Sequence, residues 1–325
     1  MVSAADALKE VSAQTKIAVE DRRRKKTAGT IDLRLKDVGF WQALDTIARQ
    51  ADARLALYER DGVPALVDGP HVLLPVSYNG VFRIGLKRLV AYRDLETATA
   101  YQVATMEIAW APRYRPFLLE TRPKALVLKD DQNHDVAIKE EGGGQAPVEG
   151  RLAMTFEVRL PAIPRPALRI RLLKGELSVI GANKMLTLTF DTLDALQKDA
   201  GKRVLSQEGI TAKVSKIQLE ADIWTVEMTL DYPPGGPKFE SFQSWVVNNE
   251  IYLQSASSEK RLRNNGGYTL ESSSSNRAVL SYYFKDEKGK GIKRGKPADW
   301  KLVYVTPGVI SETSVPFSFK DVKLP

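Results

Sequence analysis

The 325-residue chain contains no cysteine and only two histidines. The absence of cysteine excludes disulfide bonds, thiolate metal sites and cysteine nucleophiles. The histidines, His71 and His134, are far apart in the sequence, and no Gly-x-Ser-x-Gly nucleophile motif accompanies them. A histidine-based zinc site or a Ser-His-Asp triad needs more converging groups than these. We therefore predict no catalytic residue and no metal ligand.

Long apolar runs are also missing. No run approaches the roughly 18 to 20 residues that a helix needs to span a bilayer, so no transmembrane segment is predicted. The N-terminus lacks the basic segment and apolar stretch of a signal peptide. A signal peptide that had been removed and replaced by a methionine would leave the same start, so this end leaves the compartment open.

The overall composition is that of a folded protein. Hydrophobic residues make up 43% of the chain and charged residues 27%, which are ordinary values for globular proteins. A single hydrophobic core stops growing at roughly 250 to 300 residues, and this chain is longer. We therefore expect two or three domains.

The first 69 residues show a mixed pattern of helices and strands. Residues 5–15 have helical apolar spacing, and residues 17–19 are predicted as a short strand. Residues 31–35 alternate apolar and polar side chains as a second strand does. Residues 40–51 carry one apolar stripe of a second helix. Residues 55–58 and 64–67 form a predicted β-hairpin around Asp-Gly. The apolar stripe of the second helix consists of Phe40, Ala43, Leu44, Ile47 and Ala48.

This order of helix, strand, strand, helix and hairpin, over about residues 4–69, resembles the short N-terminal (STN) domain of secretins and TonB-dependent receptors. The likeness is carried by Ala7–Thr15, Ile31–Val38 and Trp41–Asp45. The family usually opens with a strand, which here is either Val2-Ser3 or lost with upstream sequence. The resemblance implies a cell-envelope or periplasmic protein whose signal peptide has been removed, with a protein-contact module and no catalysis.

Most of the remaining chain has the period-2 pattern of strands. Apolar residues alternate at 82, 84 and 86 and again at 106, 108 and 110. Short strands separated by turn residues are typical of β-sandwiches. Phe82–Leu89 resembles Ile210–Ile217, a weak internal repeat that predicts two such modules. The predicted fold is thus an α+β module (residues 1–69) followed by two mainly β, sandwich-like domains (residues 70–164 and 165–325).

The chain has a net charge of +8, and two basic clusters stand out along it. The first consists of Arg22, Arg23, Arg24, Lys25 and Lys26, and the second of Lys288, Lys290, Lys293, Arg294 and Lys296. Neither cluster is interleaved with the aromatic residues that stack on nucleobases. We therefore interpret both as solvated loops. The alternative is that they contact an anion, with residues 22–26 as the candidate site.

Other candidate sites have weak patterns. Asp130, Asp131, Asn133 and Asp135 supply the hard oxygens that calcium prefers, but they do not match an EF-hand loop, and a turn explains them equally. No glycine-rich stretch has phosphate-loop spacing, so no cofactor is predicted. The loops at residues 264–276 could be mobile or could bind a partner. Several aromatic residues lie in or beside strands and are expected in the core: Trp110, Trp224, Trp245, Tyr232 and Tyr252.

The leading functional hypothesis is a non-catalytic binding or scaffolding protein of the cell envelope that contacts other proteins or copies of itself. Strand edges that carry unpaired backbone groups could receive an incoming strand. The alternative is a cytoplasmic nucleic-acid or anion-binding protein that uses clusters 22–26 and 288–296, although nucleic acid is not the favoured partner. A third hypothesis is a carbohydrate-binding or glycosidase-type protein.

Overall fold

In a computed structural model the chain begins with an α+β module and continues as antiparallel β-sheets, which confirms the predicted fold class. The structure describes residues 2–24, 30–32, 35–58, 62–132, 134–137, 144–148, 151–164, 166–182, 184–234, 249–288, 293–308 and 310–325. Within these residues the helices are α1 (Ala4–Thr15), α2 (Phe40–Gln50) and α3 (Leu193–Lys198), with a short 3-10 helix at Pro297–Asp299.

The strands are numbered along the chain. Within the same residues they are β1 (Val2–Ser3), β2 (Glu20–Asp21), β3 (Thr30–Ile31), β4 (Arg54–Ala56), β5 (Ala65–Val67), β6 (Val76–Asn79), β7 (Phe82–Arg93), β8 (Ala100–Trp110), β9 (Arg115–Asp130), β10 (Gln145–Pro147), β11 (Ala153–Pro161), β12 (Arg169–Ala182), β13 (Met185–Thr192), β14 (Val204–Gln207), β15 (Ile210–Leu219), β16 (Trp224–Asp231), β17 (Glu250–Ser255), β18 (Arg261–Arg263), β19 (Tyr268–Ser273), β20 (Arg277–Phe284), β21 (Trp300–Pro307) and β22 (Ile310–Lys323).

The chain forms two compact units. Unit 1 comprises Met1–Val179 and Glu312–Pro325, and unit 2 comprises Ile180–Ser311. The predicted boundary between residues 164 and 165 does not coincide with this division, because it falls inside unit 1. The physical reason is that β12 and β22 are hydrogen-bonded neighbours in one sheet of unit 1. This pairing returns the C-terminus to unit 1, and local periodicity does not reveal it.

The N-terminal part of unit 1 has its own core. Helix α1 is capped by Ser3, whose hydroxyl accepts the backbone N–H of Asp6 at 3.1 Å and satisfies one of the free donors of the first turn. Strands β2, β5 and β4 form one small sheet, and β1 pairs with β3 in another. The largest buried side chains between these elements are Leu8, Trp41, Leu44, Ile47 and Leu66. This arrangement of two helices and two small sheets is hereafter called the N-terminal module.

The rest of unit 1 is a β-sandwich. One sheet has the order β11-β8-β7-β6 and the other the order β10-β9-β12-β22. The alternating apolar residues predicted in β7 and β8 all lie in the buried core: Phe82, Ile84, Leu86, Met106, Ile108 and Trp110. Val315, Phe317 and Phe319 of β22 enter the same core. The C-terminal strand therefore contributes directly to the stability of unit 1.

Unit 2 contains two further sheets, with orders β13-β21-β17-β18 and β14-β15-β16-β20-β19. Trp224, Tyr232 and Tyr252 are buried here, as expected, and Trp245 lies outside the described residues. The buried Asn249 amide donates to the Tyr232 hydroxyl at 3.1 Å and to the Tyr304 hydroxyl at 2.9 Å. This bonding satisfies polar groups that would otherwise destabilise the interior.

The buried tyrosines of unit 2 predict a loss of stability at alkaline pH. Burial raises the pKa of Tyr282 to about 12 and also raises the pKa values of Tyr232 and Tyr304. The unfolded chain releases these protons near pH ~10. The unfolded state therefore binds fewer protons than the folded state between about pH 10 and 12, and stability falls as pH rises.

We expect the free energy of unfolding, measured in urea, to fall between about pH 9 and 11 by roughly 1 kcal/mol per buried tyrosine. The part of the tyrosinate absorbance that comes from Tyr232, Tyr282 and Tyr304 should appear together with unfolding rather than before it. In the Tyr282→Phe variant the decline should be smaller. Equal stability at both pH values would contradict the prediction.

Candidate functional site

The first basic cluster is partly neutralised by its own neighbours. Arg22 Nε lies 2.8 Å from a Glu20 carboxylate oxygen. The Arg23 guanidinium donates to both carboxylate oxygens of Asp21 at 2.8 Å, and only 7% of its side chain is exposed. Arg24 donates its backbone N–H to Asp68. Lys25 and Lys26 lie outside the described residues. Arg23 therefore serves as an internal ion-pair partner and does not offer its guanidinium to an external anion.

The second basic cluster also combines one buried arginine with exposed lysines. Arg294 is buried, and its guanidinium lies 3.1 Å from Asp286 and 5.1 Å from the Trp224 ring centroid. It also donates to the Ala221 carbonyl. These contacts place Arg294 against a cavity of about 320 Å³ and use it to hold the loop. The exposed cations of the cluster are Lys288, Lys293 and Lys296, whereas Lys290 lies outside the described residues.

The acidic loop that suggested calcium is organised by hydrogen bonds of its own. The buried Asp130 carboxylate accepts the backbone N–H groups of Gln132 at 3.0 Å and His134 at 2.8 Å. Asp131 accepts the backbone N–H of Leu168, and Asn133 lies outside the described residues. Asp130 therefore closes the turn. Within the described ranges, no three acidic or histidine side chains are grouped to hold a metal ion.

Sequence reasoning missed a partly buried group of charges, here called the Arg83 cluster. Its members are Asp45 of α2, Arg83 and Lys87 of β7, Glu107 of β8, and the tyrosines Tyr58 and Tyr78. Arg83 lies 2.7 Å from Asp45 and 3.4 Å from Glu107, and Lys87 lies 2.9 Å from Glu107. The charges balance within the cluster. It fastens the N-terminal module to the outer face of β7 and β8.

Beyond the N-terminal module, the hairpin of β7 and β8 carries an exposed aromatic surface. We call it the tyrosine face, and it consists of Val90, Tyr92, Tyr101, Val103 and Arg159. Tyr92 is directly opposite Tyr101, and the rings stack with centroids 5.1 Å apart. The Arg159 guanidinium lies 3.8 Å from the centroid of the Tyr101 ring. Tyr92 is 47% exposed, so the stack meets solvent on its outer side.

The hairpin tip extends this surface. Leu95 is 85% exposed, a large apolar side chain almost wholly in water. The tip backbone is nevertheless ordered, because the Asp94 carboxylate accepts the backbone N–H groups of Glu96 at 2.8 Å and Thr97 at 3.0 Å. These side chains include no nucleophile paired with a base. They provide aromatic and aliphatic contact area with a guanidinium at the border, which are the groups that concentrate binding energy at protein interfaces.

The sequence gives only a partial signal for the tyrosine face. Val90 and Tyr92 lie on the opposite side of β7 from its core residues because the pairing register shifts between Leu86 and Arg88, and Tyr101 and Val103 lie on the outer side of β8. A strand whose two faces are both apolar at one end has surplus apolar surface there. That surplus distinguishes this hairpin from a strand with one solvated face.

Comparison with known proteins returned no relative, since no protein-family model, curated protein or solved structure matches the chain. The helices described by the structure are all too short or too polar to cross a bilayer. The chain's own surface is therefore the basis for assigning a function.

Proposed function

We propose that this chain is a non-catalytic binding or scaffolding protein of the cell envelope that contacts a partner protein through the tyrosine face and Leu95. The observation that carries the proposal is the stack of Arg159, Tyr101 and Tyr92 on a rigid sheet. Tyrosine offers a large contact area at a low entropic cost, and tyrosine and arginine are enriched among the residues that dominate binding. The resemblance of residues 4–69 to the STN domain supports the envelope location.

The geometry of the stack favours a protein partner over a single-stranded nucleic acid. One face of the Tyr101 ring is covered by Tyr92 and the other by Arg159. A nucleobase needs a free ring face, and only Tyr92 has one to offer. Val90, Val103 and Leu95 add aliphatic surface that suits the apolar centre of a protein interface.

The test is crosslinking in cells followed by quantitative mass spectrometry of the captured proteins. We expect the double variant Tyr92→Ala/Leu95→Asp to reduce capture of the main partner more than tenfold, because hot-spot residues each contribute about 2 kcal/mol or more. Circular dichroism should show an unchanged fold, since both side chains lie largely in solvent.

The matched control is Leu73→Asp, because Leu73 is 79% exposed but lies before β6 and away from the hairpin tip. This variant should capture the partner as well as the unaltered chain does. The proposal for the tyrosine face would be wrong if the double variant still captured the partner, or if both variants reduced capture equally.

A further inference from the structure

The other sheet of the unit 1 sandwich has a basic outer surface. In β12, the core residues Ile170, Leu173 and Leu177 face inward, and the cations between them face solvent. The neighbouring strand β22 buries Phe317 and Phe319 and exposes its lysines in the same way. We call this surface the basic face, and it consists of Arg169, Arg171, Lys174, Lys320 and Lys323.

The cations of the basic face are not neutralised. None of the five forms an ion pair with any residue that the structure describes. On the solvent side of β12 and β22 the acidic residues are Glu176, Asp321 and Glu312. Glu312 is already engaged, because it accepts from Ser178 and lies 3.3 Å from Lys124. The surface therefore carries a net positive charge that is free to attract an external anion.

An exposed leucine adjoins these cations. Leu168 is 74% exposed and immediately precedes Arg169. Its backbone is held on both sides, since its N–H donates to Asp131 and its carbonyl accepts the N–H of Leu324 at 3.0 Å. The second of these bonds aligns the start of β12 with the end of β22, which brings Lys323 beside Arg169. An exposed aliphatic side chain thus lies at the edge of the basic face, one residue before Arg169.

We propose that the basic face docks on an anionic lipid surface, with the cations at the headgroups and Leu168 entering the interfacial region. The cations are spread over a sheet, an arrangement that suits a planar field of charge. The exposed residues of β12 and β22 include no aromatic side chain, so this surface offers no platform for nucleobase stacking. An exposed aliphatic residue beside cations matches the combination of apolar insertion and electrostatic attraction by which proteins lie on membranes.

The inference is independent of the tyrosine face, because the two surfaces belong to different sheets of the same sandwich. A membrane bound at the basic face would leave the β7–β8 hairpin free for a protein partner. Failure of one proposal therefore leaves the other untouched.

The experiment is co-sedimentation of the full chain with vesicles of phosphatidylcholine alone or mixed with about 30% phosphatidylglycerol, compared at low and high salt. Binding is expected only to the mixed vesicles, and it should weaken as salt rises. Each cation near an anionic surface contributes about a factor of five in partitioning. The triple variant Arg169→Gln/Arg171→Gln/Lys174→Gln should therefore partition about a hundredfold less well.

A second triple variant, Lys216→Gln/Lys260→Gln/Lys301→Gln, removes the same charge from exposed positions of unit 2. It should retain binding within about twofold. Equal loss in both triple variants would show attraction by net charge alone and would overturn the proposal. Absence of binding to the mixed vesicles would overturn it too. If the chain does not bind the vesicles but binds duplex DNA tightly through these residues, the face is a nucleic-acid surface instead.

Discussion

Replacing Arg83 by methionine is expected to lower the free energy of unfolding by ~3–5 kcal/mol, the usual cost of leaving a buried charge without its partner. Arg83 is 7% exposed and bonds to two carboxylates that are themselves largely buried, Asp45 and Glu107. Methionine preserves much of the apolar stem but none of the hydrogen bonds. Asp45 would then lose its cationic partner, and Glu107 would keep only the partly exposed Lys87. Urea unfolding at neutral pH measures the effect.

Lys124→Met is the matched control, because it removes a cation from the exposed pair with Glu312 in the same unit. Exposed ion pairs contribute about 0 to 1 kcal/mol, so this variant should be nearly neutral. If Arg83→Met also costs less than about 1 kcal/mol, the cluster does not hold the N-terminal module as we describe. Replacing Arg83, Asp45 and Glu107 together with apolar residues should recover part of the lost stability, since no buried charge then remains.

The Arg83 cluster shows where sequence reasoning stops. Alternation in β7 correctly places Phe82 and Ile84 in the core, and so assigns Arg83 to the opposite, solvated face. That face is covered by α2, which lies about 40 residues earlier in the chain. Periodicity gives the orientation of a side chain relative to its own sheet. It does not reveal what a distant segment packs on top of that sheet.

The same limit explains the basic clusters. A run of cations is most simply interpreted as a solvated loop. Arg23 and Arg294 depart from this interpretation because each meets a carboxylate, Asp21 or Asp286, and becomes buried. The partner of Arg23 is two residues away, within reach of sequence analysis. The partner of Arg294 and the Trp224 ring beneath it depend on the tertiary fold.

The exposed surfaces were the least predictable part. The tyrosine face requires knowing that β11 lies beside β8, which brings Arg159 to Tyr101. The basic face requires the pairing of β12 with the C-terminal strand. Both pairings join segments about 50 to 150 residues apart, and such contacts leave no local pattern. Strand positions and their inward residues were predictable, whereas the neighbours of each strand were not.

Trp41→Ala should be the other severe substitution, with an expected loss of ~3–5 kcal/mol for removing a large aromatic side chain from a core. Trp41 is 1% exposed, and its indole N–H donates to the Val81 carbonyl at 2.9 Å. The contact joins α2 to the turn before β7, so the variant should loosen the N-terminal module before the sandwich. Limited proteolysis near Val72 and Leu73, which are 57% and 79% exposed, should then accelerate.

The neighbouring Phe40 provides the control. Its ring packs edge-on against Trp41 at 5.0 Å but remains partly exposed, so Phe40→Ala should cost roughly 1 kcal/mol. The sequence assigned Phe40 to the buried stripe of α2, and helical spacing alone does not choose between adjacent aromatic residues. The structure gives the central position to Trp41. Equal effects of the two substitutions would mean that the aromatic pair, rather than the Trp41 to Val81 contact, anchors the module, and proteolysis would then accelerate in both variants.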